Sequence, residues 1–269
     1  MSYKTVILEK EDGIAVLTLN RPETLNAWNA EMQTEGVAAL EEVDGDDAVK
    51  VLIITGAGKG FSSGADVRQE LSLTGKTPWM ETVTGRIVSG KPTVVAVMLK
   101  IANLGKPVIA AVNGVAAGAG FALALACDMR IASEEARFNM SFLRRGLIPD
   151  CGATYFLPRL VGLGHASIVV FSGDTIDAKE AERIGIADRV VPHTDLMKAT
   201  KDLATKMAKN PPIAVRLAKK ALHQGLIEPD LASHLNYEIY ANSVLMNTED
   251  FKEGVNSFLE KREPTFKGK

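Results

Sequence analysis

The chain has 269 residues, of which 46% are hydrophobic and 24% charged, with a formal net charge of −2. That is enough apolar material for one large domain, or for a core with a smaller appendage, and the balance gives no general attraction to nucleic acid or an anionic membrane. Cys127 and Cys151 are its only cysteines, too few for a disulfide framework; with no signal-peptide h-region after Met1 and no apolar run long enough to span a bilayer, a cytoplasmic chain is expected.

Apolar and polar residues alternate over 5–9 and 14–19, on either side of Lys10-Glu11-Asp12-Gly13, the pattern of a hairpin. Asn20-Arg21-Pro22 ends it, because proline cannot continue a ladder. A helix is predicted from about Asn29 to Val43, with Met32, Val37 and Leu40 among its apolar positions. Val51-Leu52-Ile53-Ile54-Thr55 reads as a buried strand, followed by the turn Gly60-Phe61-Ser62-Ser63-Gly64-Ala65-Asp66. Between Leu71 and Ser89 the composition turns to Gly, Thr, Lys and Pro, a surface loop of the kind that borders a site. The strand–turn theme then returns with Pro107-Val108-Ile109-Ala110-Ala111-Val112 and Asn113-Gly114-Val115-Ala116-Ala117-Gly118-Ala119-Gly120. Further strands are predicted over 128–132 and 188–191, and strands alternating with helices give an α/β fold. From about Thr194 strands disappear and helical spacing takes over, at Leu196, Ala199, Leu203 and Met207 and again at Ile213, Leu217, Ala221 and Leu222. A final amphipathic piece covers 250–261. The helices beyond 193 read equally as an appendage or as core helices of the same domain.

The two glycine-bearing turns carry the first sign of chemistry. Each follows a buried strand and leads toward a helix, which leaves backbone N–H groups pointing outward at a helix start. Two such turns can hold one oxygen between them. That is the construction of an oxyanion hole, and it points to an enzyme acting on an acyl carbonyl. Gly and Ala runs also serve close helix packing, but a second turn after a second strand favours the functional reading. Neither turn contains G-x-x-x-x-G-K-[ST] or G-x-G-x-x-G. His165, His193, His223 and His234 show no metal-ligand spacing, so no metal site is expected. Cys151 has no evident activating base and reads as a buried thiol.

Phe61-Ser62-Ser63-Gly64-Ala65-Asp66, Lys106-Pro107-Val108-Ile109-Ala110-Ala111-Val112-Asn113-Gly114, Cys127-Asp128 and Gly146-Leu147-Ile148-Pro149-Asp150 resemble the enoyl-CoA hydratase/isomerase (crotonase) family. The resemblance continues through Phe156-Leu157-Pro158-Arg159-Leu160-Val161-Gly162 to the ending Phe258-Leu259-Glu260-Lys261-Arg262, nearly the whole chain. It implies a crotonase-like spiral of ββα repeats over 1–193 and a C-terminal helical region over 194–269 that builds a homotrimer, often paired into a hexamer. The implied substrate is a CoA thioester whose carbonyl accepts hydrogen bonds from the backbone N–H groups of Ala65 and Ala119. Coenzyme A is then part of the substrate and no cofactor is expected. The CoA would lie along Glu23, Leu25, Ser63, Asp66 and Val67, with Gly118 and Phe142 at the site and Arg68 and Lys261 as phosphate partners.

Hydratases of this family orient water with two glutamates, and those places here hold Ala122 and Phe142. Asp150 stands where hydratases commonly have glycine and several isomerases carry an acid. One base suffices for a 1,3-proton shift, since it takes a proton at one end of a dienolate and returns it at the other. Phe138, Met140, Phe142, Leu143 and Phe156 are expected to supply an apolar wall, and Asp150 also reads as the N-cap of a helix beginning near Gly152. The implied activity is acyl-CoA isomerisation, shifting a double bond or opening a ring epoxide, with Asp150 as acid/base. Residues 113–120 and 146–152 resemble the phenylacetate-pathway ring-1,2-epoxyphenylacetyl-CoA isomerase and Δ3,Δ2-enoyl-CoA isomerase branch. Ala153, Tyr155 and Ser62-Ser63 depart from its pattern. The alternatives are a hydratase or hydrolase with water held by Asp150, an aroyl-CoA dehalogenase with Asp150 as nucleophile, and a catalytically weak CoA- or RNA-binding member. The dehalogenases rely on a histidine that segment 88–103 lacks.

Overall fold

In the computed structural model, which describes residues 3–66, 86 and 88–269, the opening alternation folds into β1 (Val6–Glu11) and β2 (Ile14–Leu19), paired antiparallel. Next to β2, in parallel, come β3 (Val51–Gly56), β5 (Val108–Val112), β7 (Met129–Ser133) and β10 (Arg189–Val191), completing a sheet in the order β1-β2-β3-β5-β7-β10. All of β5 and nearly all of β3 are buried, which is why their sequences are unbroken apolar runs rather than alternating ones. Helix α1 (Ala30–Asp44) starts at Asn29, whose side chain accepts a hydrogen bond from the Met32 N–H at 2.8 Å. It buries Met32, Ala39, Leu40 and Val43 in the main core.

The segments read as turns after β3 and β5 contain something the sequence conceals. Three-residue strands β4 (Gly60–Ser62) and β6 (Val115–Ala117) pair in parallel within a second sheet, ordered β4-β6-β8-β9, with β8 (Arg137–Asn139) and β9 (Thr175–Asp177). Strands this short show no alternation to detect. The long strands β3, β5 and β7 are thus each followed by a short one in the second sheet, and two of these pairs then lead into helices: β5 and β6 into α3 (Ala119–Ala126), β7 and β8 into α4 (Ala153–Ser172). Helix α2 (Val94–Asn103) precedes β5, and α5 (Ala178–Ile184) precedes β10. Among the described residues α4 alone is long and apolar enough to cross a membrane. It breaks at Gly162, however, where φ is 74° and ψ 162°, so each arm has about half the ~20 residues of a span. The loop expected over 71–89 lies almost wholly outside the described residues.

Helix α6 (Leu196–Ala208) lies across the large sheet, burying Leu196 and Ala204 against Val51, Ile53, Ile109 and Ile131. The first helix after the change of texture is therefore a layer of the core. Beyond it come α7 (Pro212–Gly225), α8 (Leu231–Leu245) and α9 (Glu249–Glu260), which bury few residues within one chain. Asp128, at the start of β7, ties α7 down by accepting from Lys219 Nζ at 2.7 Å and lying 3.2 Å from His223 Nε2.

Candidate active site

The first glycine turn is clamped from behind by the strand-like segment around Trp28. The Trp28 N–H donates to Gly64 O at 2.8 Å and the Asp66 N–H to Trp28 O at 2.9 Å, in a parallel bridge between Trp28 and Ala65. These two bonds use the groups on either side of Ala65, so the Ala65 N–H faces away from the clamp. In the second turn, the Gly118 N–H donates to Asn139 O at 3.0 Å, and Ala119 opens α3 with its own N–H free of any helical acceptor. The two turns touch. A Cβ on Gly64, whose φ is +96°, would stand 2.7 Å from Ala117 O and 3.2 Å from Ala119 N. Only glycine permits that approach. All of α3 is buried, and its N-terminal partial positive charge faces this junction.

Ala65, Ala119 and Asp150 line one cavity of about 160 Å³. Asp150 is exposed at its edge, on a loop held by two successive positive-φ residues, Cys151 at 55° and Gly152 at 85°. A Cβ on Gly152 would lie 2.7 Å from the Phe156 ring, so the loop is packed tightly against the first turn of α4. The N-cap of α4 is Gly152 and no side chain bonds there, which corrects the capping reading of Asp150. Only the Asp150 backbone oxygen serves the helix start, accepting from the Ala153 N–H at 2.9 Å. Burial, then the neighbouring Asp150 charge and a hydrogen bond to it, push the Cys151 thiol well above its ordinary range. A thiol held protonated in this way is not a nucleophile.

A spiral of ββα repeats with two backbone donors and one carboxylate on a single cavity fits the family that the sequence resembles. Residues 9–269 match the family model described as enoyl-CoA hydratase/isomerase. The chain belongs to the enoyl-CoA hydratase/isomerase family. It is 40% identical to a short-chain-enoyl-CoA hydratase of Clostridium acetobutylicum, over 97% of each chain. It is 37% identical to a 1,2-epoxyphenylacetyl-CoA isomerase of Escherichia coli, over 98% of each. Among solved structures, an enoyl-CoA hydratase from Bacillus anthracis superposes with a TM-score of 0.91 at 34% identity, covering 99% of this chain and 100% of that one.

Within this family member, the positions expected to bear hydratase glutamates are apolar in space as well as in sequence. Ala122 is fully buried in α3, and the Phe142 ring lines the cavity, 3.7 Å from where a Gly118 Cβ would sit. The expected apolar wall needs correction. Phe138 and Met140 are fully buried in the core, both turned inward by their two-residue spacing, and Leu143 is exposed. Phe156 lies behind Gly152 and faces a neighbouring cavity. Of the expected wall Phe142 alone lines the cavity, joined by Trp28, Val94, Val95 and Leu147.

Of the expected CoA-binding residues, Ser63 and Gly118 line the cavity, whereas Glu23, Leu25, Asp66 and Lys261 do not. Leu25 is fastened to the first turn, its oxygen accepting from the Ser63 N–H at 2.8 Å, and Ser63 Oγ donates to Thr24 O at 2.9 Å. The Glu23 carboxylate is exposed, 4.0 Å from Arg21 Nε. Asp66 is buried with its carboxylate 3.1 Å from Arg21, so that side chain is committed to the fold. Lys261 caps the C-terminal end of α9. Val67 and Arg68 lie outside the described residues. Sequence reasoning missed Trp28, Gln33, Thr93 and Arg145, which reach the cavity from distant segments and share no local motif. Among the described residues no cluster of three or more His, Cys, Asp or Glu side chains converges as a metal site.

Proposed function

We propose that the protein is an acyl-CoA isomerase, which moves a double bond or opens a ring epoxide through a thioester enolate. The observation that carries this reading is the placement of Asp150 on the cavity shared by the Ala65 and Ala119 N–H groups, while Ala122 and Phe142 stand in the hydratase glutamate positions. In this reading the thioester carbonyl sits between the two N–H groups, each worth ~3–4 kcal/mol to the transition state. Both donors are fixed by the fold before substrate arrives, so little reorganisation accompanies the build-up of negative charge on oxygen. Asp150 takes the α-proton of a 3-enoyl thioester and the electron pair moves into the carbonyl as a dienolate. Return of that proton to the γ-carbon re-forms the carbonyl and leaves the conjugated 2-enoyl thioester. The shift needs no positioned water, which fits an apolar Phe142 at the place where the family resemblance puts a hydratase acid. The proposed path of the CoA starts from Ser63 on the cavity wall and leaves toward Leu25 and Glu23, which lie outside the cavity on the segment that Ser63 is bonded to, with Lys261 as a phosphate partner. The similarity to a relative named as an epoxyphenylacetyl-CoA isomerase supports keeping ring epoxides within the range.

Offering the wild-type protein a 3-enoyl-CoA and, separately, a 2-enoyl-CoA tests this proposal. The expected result is conjugation of the first and no hydration of the second. Hydration of the 2-enoyl thioester without isomerisation of the 3-enoyl one assigns the protein to the hydratases.

A further inference from the structure

Trp28 has a feature that the reaction above leaves unused. Its side chain is 1% exposed, and its indole Nε1–H is buried with no hydrogen-bond partner among the described residues. Folded proteins leave few donors in that condition, because an N–H removed from water and unpaired opposes folding. The residue is held in place at both ends. Its backbone clamps Ala65, and the far edge of its ring, Cζ3 and Cη2, rests against α1 at Gly36, 3.2 Å and 3.4 Å from where a Cβ would be. Trp28 lines the cavity that receives the thioester, and two further buried polar side chains, Gln33 and Thr93, share its wall. Thr93 stands at the N-terminus of α2, yet its hydroxyl does not cap that helix. Much of the remaining wall is hydrocarbon, from Val94, Val95 and Phe142.

We infer that Trp28, with Thr93 on the same wall, forms a polar subsite for a second oxygen on the acyl group. The preferred substrate is then an oxygenated acyl thioester, carrying a hydroxyl, oxo or epoxide oxygen, and Trp28 is a specificity-determining residue. A plain hydrocarbon chain filling this cavity leaves the indole N–H as unpaired as before, whereas an acceptor oxygen satisfies it. Sites that donate to a substrate oxygen discriminate against the analogue lacking it for this reason. The inference rests on the acyl-CoA reading of the cavity but not on the role of Asp150.

Binding of unreactive saturated thioesters separates the two. Titration calorimetry with 4-hydroxybutyryl-CoA and 6-hydroxyhexanoyl-CoA, each against butyryl-CoA or hexanoyl-CoA, is expected to show roughly ten-fold tighter binding of at least one hydroxylated ligand over its parent. In Trp28→Phe that ratio falls to about one, since the indole donor is removed, and the ratio of hydroxylated ligand to parent cancels the packing lost equally for both when the ring shrinks. In ¹⁵N-tryptophan-labelled wild type, with Trp79→Phe giving the assignment, the Trp28 indole N–H resonance moves downfield with the hydroxylated ligand and not with its parent. Equal affinities in the wild type, a preference that survives in Trp28→Phe, or an indole resonance without that shift overturns the subsite. Failure of all four thioesters to bind overturns the acyl-CoA reading and the subsite with it.

Discussion

Gly64 concentrates the demands of the site in one missing side chain. Its φ of +96° and its closeness to Ala117 O set the spacing between the turns that present Ala65 and Ala119. Gly64→Ala adds both backbone strain and a 2.7 Å contact with a carbonyl oxygen. The turns must part, and steady-state kinetics should show kcat reduced by roughly 10²–10³-fold, the cost of one misplaced oxyanion donor. Ala65, Ala119 and Asp150 were legible in the sequence because each sits inside a contiguous motif whose glycines fix the backbone. Trp28, Thr93 and Arg145 were not, because they reach the cavity through the approach of α1, α2 and the loop before α4, and no local pattern records such an approach. The expected ring of Phe138 and Met140 failed for a related reason. Proximity in sequence to Asp150 does not override the inward face of a strand.

At the scale of elements, Asp128 decides how the C-terminal helices meet the core. Burial alone would raise its carboxyl pKa, but His223, Lys219 and the Val108 N–H together hold it below the usual carboxylate range. A carboxyl depressed in the folded state contributes stability above its unfolded pKa of ~3.9, and that contribution disappears as pH falls through the folded value. Asp128→Asn leaves Lys219 without its counter-charge. The variant should lose about 2–3 kcal/mol in urea unfolding at neutral pH. Its stability should also depend less on pH below ~4 than that of the wild type. Strands β3 and β5 were readable as unbroken apolar runs, β1 and β2 as an alternation, and α1, α6, α7 and α9 as periodic helices. The short strands β4, β6 and β9 escaped detection because three residues carry no period, and α8 because its apolar residues do not gather on one face, leaving Leu235, Ile239 and Val244 exposed and Ala241 buried.

The whole molecule exposes more apolar surface than a lone chain needs, with Leu231, Ile239, Tyr240, Phe258 and Leu259 outward on α8 and α9, Phe258 at 83%. Faces of this kind mark association surfaces, and a trimer or hexamer, the assembly the family resemblance implies, would cover them. Sedimentation should give a multiple of 28.8 kDa, and the double variant Ile239→Glu, Phe258→Glu should sediment as a single chain. Wild-type sedimentation as a single chain would contradict that assembly. The proposed isomerase mechanism depends on one carboxylate reaching one thioester, and the most direct test compares wild type with Asp150→Asn on a 3-enoyl-CoA. Conjugated thioester absorbance reports turnover, and binding of a saturated acyl-CoA reports an intact site. Turnover should fall by roughly 10²–10⁴-fold with binding retained; isomerisation undiminished in Asp150→Asn would contradict the role of that carboxylate.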